Sequence, residues 1–123
     1  MANKKRILVV EDDVMSLEVM RIRLEQSGFE VIAADGGKEG LIKAISEHPD
    51  LIIADVMMPE LDGLQMIKIL RANSDLKNTP IIVISALGRE IDIRNAKEAG
   101  ANDYIVKPSL TDEIVKKVKG LIK

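Results

Sequence analysis

Five short apolar runs recur along the chain: RILVV at 6–10, EVIAA at 30–34, LIIA at 51–54, IIVIS at 81–85 and DYIVK at 103–107. Their Val and Ile content and their length predict strands. Between and after them, apolar residues return at helical spacing over 14–27, 37–47, 64–73, 89–99 and 110–122. In the last segment Leu110, Ile114, Val118 and Leu121 form one stripe, with Val115 and Ile122 beside it. Gly28 and Gly100 follow two of these helices, Pro49 and Pro80 sit just ahead of strands, and Asp62-Gly63 reads as a turn. No internal repeat, linker or low-complexity segment interrupts the pattern.

Five βα units in a row imply parallel strands joined by crossovers, covered by helices on both faces. Right-handed crossovers leave the doubly wound order 2-1-3-4-5 as the expectation, an α/β fold with a five-stranded parallel sheet and five helices. In such sheets ligands sit at the carboxyl ends of the strands, at the switch point between strands 1 and 3. Fold alone names no function.

Composition narrows the class. At 123 residues the chain reads as one domain over 1–123, with no effector domain expected, and 46% hydrophobic with 31% charged residues suits a globular protein. The formal net charge of −2 gives no case for nucleic-acid binding. Without cysteine there is no disulfide or thiolate metal site, which suits the cytoplasm. No apolar run approaches a membrane span, and the basic start MANKKRILVV is too short in apolar residues for a signal peptide.

The strand ends carry the chemistry. Strand 1 runs into Glu11, Asp12 and Asp13, and strand 3 into Asp55. These strands are neighbours in the expected order, so the acids converge on the switch-point crevice. Strand 4 ends in Ser85 and strand 5 in Lys107, followed by Pro108. Crowded carboxylates repel one another unless a cation sits among them. Oxygen ligands without His or Cys favour a hard ion, and a small number of them suits Mg²⁺ sharing its shell with a phosphate. Lys107 and Ser85 offer an ammonium and a hydroxyl to phosphoryl oxygens. Together they make a site for binding or receiving a phosphoryl group.

Each residue also has a plainer reading. The acids at 11–13 could be a solvated helix start favoured by the macrodipole. Asp55 could be a turn residue, Ser85 a strand-end hydroxyl, Lys107 a surface lysine and His48 a helix cap. Met57 and Met58 could be gap-fillers. The combination of four strand ends, not any one of them, supports the phosphoryl site.

The blocks RILVVEDD, LIIADVMMPELDG, PIIVISA and GANDYIVKP, in this order, resemble a response-regulator receiver domain, the phosphoacceptor module of two-component signalling, over essentially the whole chain. The likeness is to the chemotaxis-regulator type, with its flavodoxin-like sheet. The resemblance implies that Asp55 is phosphorylated. It makes Glu11 and Asp12 the metal-binding acids, with Asp12 a direct Mg²⁺ ligand and Glu11 acting through water, and it leaves Asp13 outside the pair. The Met57 main-chain carbonyl would complete the protein's share of the Mg²⁺ shell. Ser85 and Lys107 match the family's hydroxyl and lysine, the latter before a usually cis proline, and Tyr104 matches the switch aromatic. Pro59 and Asp62-Gly63 would stiffen and reverse the metal-binding loop. Ser109 is a mild departure, since an apolar residue is common there.

The family further implies a sensor histidine kinase or a His-phosphotransfer protein as donor. A downstream protein target would read the face of helix 4, strand 5 and helix 5, with no direct nucleic-acid or membrane contact. The domain would be no enzyme, promoting only its own phosphorylation and dephosphorylation. The alternative is a pseudo-receiver that docks without phosphorylation; the intact set Glu11, Asp12, Asp55, Ser85 and Lys107 argues against it. A phosphohydrolase with an aspartyl intermediate would carry a second acid where Met57 stands, and a dinucleotide-binding domain would need a glycine-rich turn after strand 1.

Two local features add expectations. Met57 and Leu87, two residues beyond Asp55 and Ser85, cannot hydrogen-bond an attacking water, so autodephosphorylation should be slow. Helix 1 carries Leu17, Met20 and Leu24 on a core face and Met15, Val19 and Ile22 at similar spacing. The second stripe is either a wider core face or a docking surface for a kinase's helical bundle.

Overall fold

The structure is a computed structural model that describes residues 4–58, 60–108 and 111–122, with only the main chain of Thr111. The elements alternate without exception: β1 (Arg6–Val10), α1 (Val14–Gln26), β2 (Glu30–Ala34), α2 (Gly37–Glu47), β3 (Leu51–Asp55), α3 (Gly63–Ala72), β4 (Ile81–Ser85), α4 (Glu90–Ala99), β5 (Asp103–Val106) and α5 (Thr111–Leu121). The strands form one parallel sheet in the order β2-β1-β3-β4-β5, as the pattern predicts. Pro59, Ser109 and Leu110 lie outside the described residues.

The three central strands are apolar on both faces because each is sandwiched. Leu8 and Val10 of β1, Ile52 and Ala54 of β3, and Ile81 and Val83 of β4 pack with Met66, Ile67 and Leu70 of α3, Ala44 of α2 and Ala96 of α4. The alternate residues Ile7, Val9, Leu51, Ile53, Ile82 and Ile84 pack with Met20 and Leu24 of α1 and Ile114, Val115 and Val118 of α5. Period-two alternation thus feeds two cores from one set of strands.

Element ends follow local chemistry. Asp13 caps α1, its side chain accepting the N–H of Ser16 at 3.0 Å. His48 caps α2 in the left-handed region, its N–H bonded to Ala44 O, which bears out its reading as a cap. Asp62-Gly63 is more than a turn. Asp62 and Gln65 form a reciprocal capping box at the start of α3. Gly63 is needed for room: a Cβ there would lie 2.4 Å from the carbonyl oxygen of Asp55. At the other end of α3, Arg71 donates to the carbonyls of Gly100, Leu76 and Thr79 and to Asn102 Oδ1, tying the ends of α3 and α4 to the start of β5.

Candidate phosphoryl-acceptor site

Strand alternation decides which side chains meet. In β1, Ile7 and Val9 face α1 and α5, so Glu11, one step past the strand, turns to the same side. Leu51 and Ile53 send Asp55 that way in β3, and Ile105 sends Lys107 that way after β5. The three side chains meet at the carboxyl ends of the strands. Lys107 Nζ donates to Glu11 Oε1 at 2.5 Å and to Asp55 Oδ2 at 2.8 Å. The opposite parity governs β4 and the middle of β5: Val83 and Tyr104 lie in the α2–α4 core, and Ser85 follows Val83 on that side. Alternation thus separates an acid–amine group from a hydroxyl–tyrosine pair.

Glu11 and Asp55 are 1% and 6% exposed, so their charges need compensation. Burial pushes the Glu11 carboxyl above its ordinary value, opposed by the hydrogen bonds from Lys107 and from the Asp13 N–H. Burial also works against the Lys107 ammonium, but its bonds to Asp55 and Glu11 outweigh this and hold it above its ordinary value. The amine therefore stays charged. Asp12 is exposed beside the buried pair, and one carboxylate oxygen from each of Glu11, Asp12 and Asp55 falls within 4.8 Å of the others. An all-oxygen donor set that already gathers an ammonium fits a hard divalent cation. The other Asp55 oxygen, Oδ1, accepts the Met57 N–H at 2.9 Å. Both carboxylate oxygens are thereby held in orientation.

Ser85 is fully buried, its Oγ accepting the Leu87 N–H at 3.1 Å. The Tyr104 ring is buried too, and its hydroxyl donates to the Leu87 carbonyl. Burial raises the Tyr104 hydroxyl above its ordinary value, with the adjacent Ser85 side chain opposing the shift. The tyrosine thus already occupies an inward position. Lys107-Pro108 is cis.

The plainer readings divide. Asp13 is the helix cap and stands apart from the acid cluster. Met58 is a core gap-filler, whereas Met57 is 56% exposed. Met20 and Leu24 are buried under α1, with Leu17 packed partly against them. Met15, Val19 and Ile22 are exposed, 77% in the case of Met15, so the second stripe is not a wider core face. Met15 and Val19 border a cleft of about 310 Å³ that reaches Lys107 and Pro108. Sequence reasoning missed the tight contact at Gly37, where a Cβ would stand 2.1 Å from the carbonyl oxygen of Leu61. The glycine pair at 36–37 was the available signal, but the partner is 24 residues away in sequence.

Known proteins share the sequence pattern and the fold. A "Probable transcriptional regulator ycf27" of Cyanophora paradoxa is 41% identical over 121 residues, covering 98% of this chain and 49% of that protein. The alkaline phosphatase synthesis transcriptional regulatory protein PhoP of Bacillus subtilis is 40% identical, covering 97% and 49%. The chain spans about half the length of the curated relatives it matches. Among solved structures, chemotaxis protein CheY4 of Vibrio cholerae superposes with a TM-score of 0.93 at 29% identity, covering 98% of this chain and all of that one. The family model for the response regulator receiver domain matches residues 7–119, and the chain belongs to that family.

Proposed function

We propose that residues 1–123 act as one receiver unit in which Asp55 accepts a phosphoryl group from a phosphohistidine of a sensor kinase or His-phosphotransfer protein. The observation that carries this reading is the Asp55 carboxylate, buried to 6% exposure yet held at a crevice rim by Lys107 through one oxygen and the Met57 N–H through the other. A carboxylate oxygen of Asp55 forms the new O–P bond while the P–N bond of the donor breaks, its electron pair leaving with the imidazole. Holding the nucleophile at one orientation lowers the barrier by positioning, and the Lys107 ammonium offsets charge on the transferring oxygens. Glu11, Asp12, Asp55 and the Met57 carbonyl are the groups that would hold Mg²⁺, which when bound supplies further positive charge to the phosphoryl oxygens.

Phosphorylation then biases a pre-existing equilibrium, limited by the contacts that differ between its states. Ser85 accepts the Leu87 N–H and has its own O–H to donate to a phosphoryl oxygen, and Leu87 also holds the Tyr104 hydroxyl. A shift of Ser85 is therefore felt by the loop that leads into α4. The face of α4, β5 and α5 carries the output to a protein target. The net charge of −2 supports a protein rather than nucleic acid as the direct contact. No helix among the described residues is long and apolar enough to cross a membrane, and a cytoplasmic setting suits a kinase-fed module.

Intact mass after incubation with Mg²⁺ and acetyl phosphate tests the reading. One added phosphoryl group, lost in Asp55→Asn and without metal, is expected. No adduct on the wild-type chain would overturn it in favour of a docking module that works unphosphorylated.

A further inference from the structure

We infer that Gly37, at the start of α2, is a positioning residue for the acceptor site: its lack of a side chain makes the α2 terminus the wall that fixes the loop between β3 and α3. The inference rests on the phosphoacceptor reading and deepens it.

The contact is between backbones. A Cβ on Gly37 would lie 2.1 Å from Leu61 O and 3.0 Å from both Leu61 C and Leu61 Cβ. The clash is with main chain, so no rotamer change relieves it, and the loop or the helix must move. Gly37 does not need glycine's conformational range, since no positive φ occurs there. Its requirement is space alone.

Leu61 is two residues from Gly63, and Gly63 closes the other side of the wedge. A Cβ at Gly63 would meet the Asp55 carbonyl oxygen at 2.4 Å and Val56 Cα at 2.8 Å, while the Gly63 N–H bonds Val56 O at 3.3 Å. The path from α2 to the nucleophile is therefore short and made of backbone: Gly37 against Leu61, then Asp62, then Gly63 against Asp55 and Val56. Asp62 is itself fixed by its capping box with Gln65. Displacing Leu61 outward pulls on the segment that presents the Met57 N–H to Asp55 Oδ1, the bond that sets the carboxylate's rotation. The Lys38–Glu60 ion pair across the same gap is highly exposed on both sides and is no substitute for this wall.

The test compares Gly37→Ala with Gly36→Ala, where a Cβ meets nothing within 4 Å. Mn²⁺ serves as the metal probe, its affinity read by electron paramagnetic resonance, together with the Met57 amide resonance and the thermal midpoint. Folded Gly37→Ala should bind Mn²⁺ about tenfold more weakly, the scale on which groups that orient metal ligands act. Its Met57 amide resonance should also move, while Gly36→Ala stays at wild-type values. A Gly37→Ala variant that loses thermal stability but keeps wild-type Mn²⁺ affinity and Met57 resonance overturns the inference. If Gly37→Ala does not fold alone, the same measurements are made on it with trimethylamine N-oxide, which favours the compact state. Weaker Mn²⁺ binding in that variant supports the wall, and unchanged binding overturns it. Failure of the wild-type chain to bind Mn²⁺ at all would remove the phosphoacceptor reading as well, so the two failures are distinguishable.

Discussion

Lys107 and Glu11, 96 residues apart in sequence, share a 2.5 Å hydrogen bond at the floor of the crevice. The same Nζ reaches Asp55, so one ammonium stands where three carboxylates converge. Its single positive charge offsets part of the charge of the two buried acids. Lys107→Met should therefore cost about 2–3 kcal/mol in EDTA, a buried-pair loss reduced for the partial exposure of Lys107. Saturating Mg²⁺ should restore most of that loss, because a cation again sits among the acids. Urea unfolding with and without Mg²⁺ reads this directly. An equal loss in both conditions would show that the ammonium and the ion do not substitute for each other.

The phosphoryl lifetime is the second expectation. Met57 is largely exposed and Leu87 half-buried, and neither side chain carries an atom able to orient water. The Leu87 main chain is engaged as well, its N–H by Ser85 and its carbonyl by Tyr104. Replacing the pair by Met57→Asn and Leu87→Glu supplies both an amide and a carboxylate near the acceptor. The double variant should lose its phosphoryl group at least about tenfold faster, a small share of what positioned acid–base groups can contribute. Decay of the phosphorylated mass after removal of acetyl phosphate measures it, and an unchanged lifetime would sink the idea.

How much of this was readable beforehand depends on the range of the interaction. The strand order follows from the βα alternation, and the convergence of the candidate residues from what stands at strand ends, because parallel strands bring their carboxyl ends together. Parity then explains why Glu11, Asp55 and Lys107 meet while Ser85 pairs with Tyr104. Close backbone approaches left little trace. Gly37 against Leu61 and Gly63 against Asp55 are matters of a missing Cβ, and sequence shows a glycine without showing what it makes room for. The Arg71 fork, which satisfies three carbonyls from two separate segments, looks like any basic residue near a helix end until the fold supplies its acceptors. The second stripe of α1 had two readings because periodicity counts apolar residues but not the width of the surface beneath them.

Acid should act on the output face through Asp103. Burial raises its carboxyl, but the Tyr104 N–H, the Lys117 ammonium at 3.1 Å and the charge of Lys97 outweigh this and hold it below its ordinary value. A depressed folded value means that its stabilising contribution is present above the unfolded value, about 3.9. That contribution is lost as pH falls through the folded value. The stability gap between the wild type and Asp103→Asn should accordingly be constant near neutrality and close only in strong acid. Lys117→Met should move the Asp103 carboxyl midpoint upward in carbon-detected NMR titration. A midpoint that does not respond would exclude Lys117 as a cause.

The exposed stripe of α1 is the remaining surface beside the site. Met15 and Val19 line the cleft that reaches Lys107, so a helix of the phosphodonor protein seated there would bring its histidine close to Asp55. Val19 is 53% exposed and faces away from the cores, so a charge there leaves packing intact. Val19→Asp puts a carboxylate into an apolar contact that would otherwise be desolvated, a change worth about 2 kcal/mol or more when the charge finds no partner. Phosphotransfer from a donor protein should slow by at least about tenfold, whereas phosphorylation by acetyl phosphate, which needs no docking surface, should keep its wild-type rate. The comparison separates docking from chemistry within one variant. Equal loss with both donors would place the effect in the acceptor site itself, and equal retention would remove α1 from the donor interface.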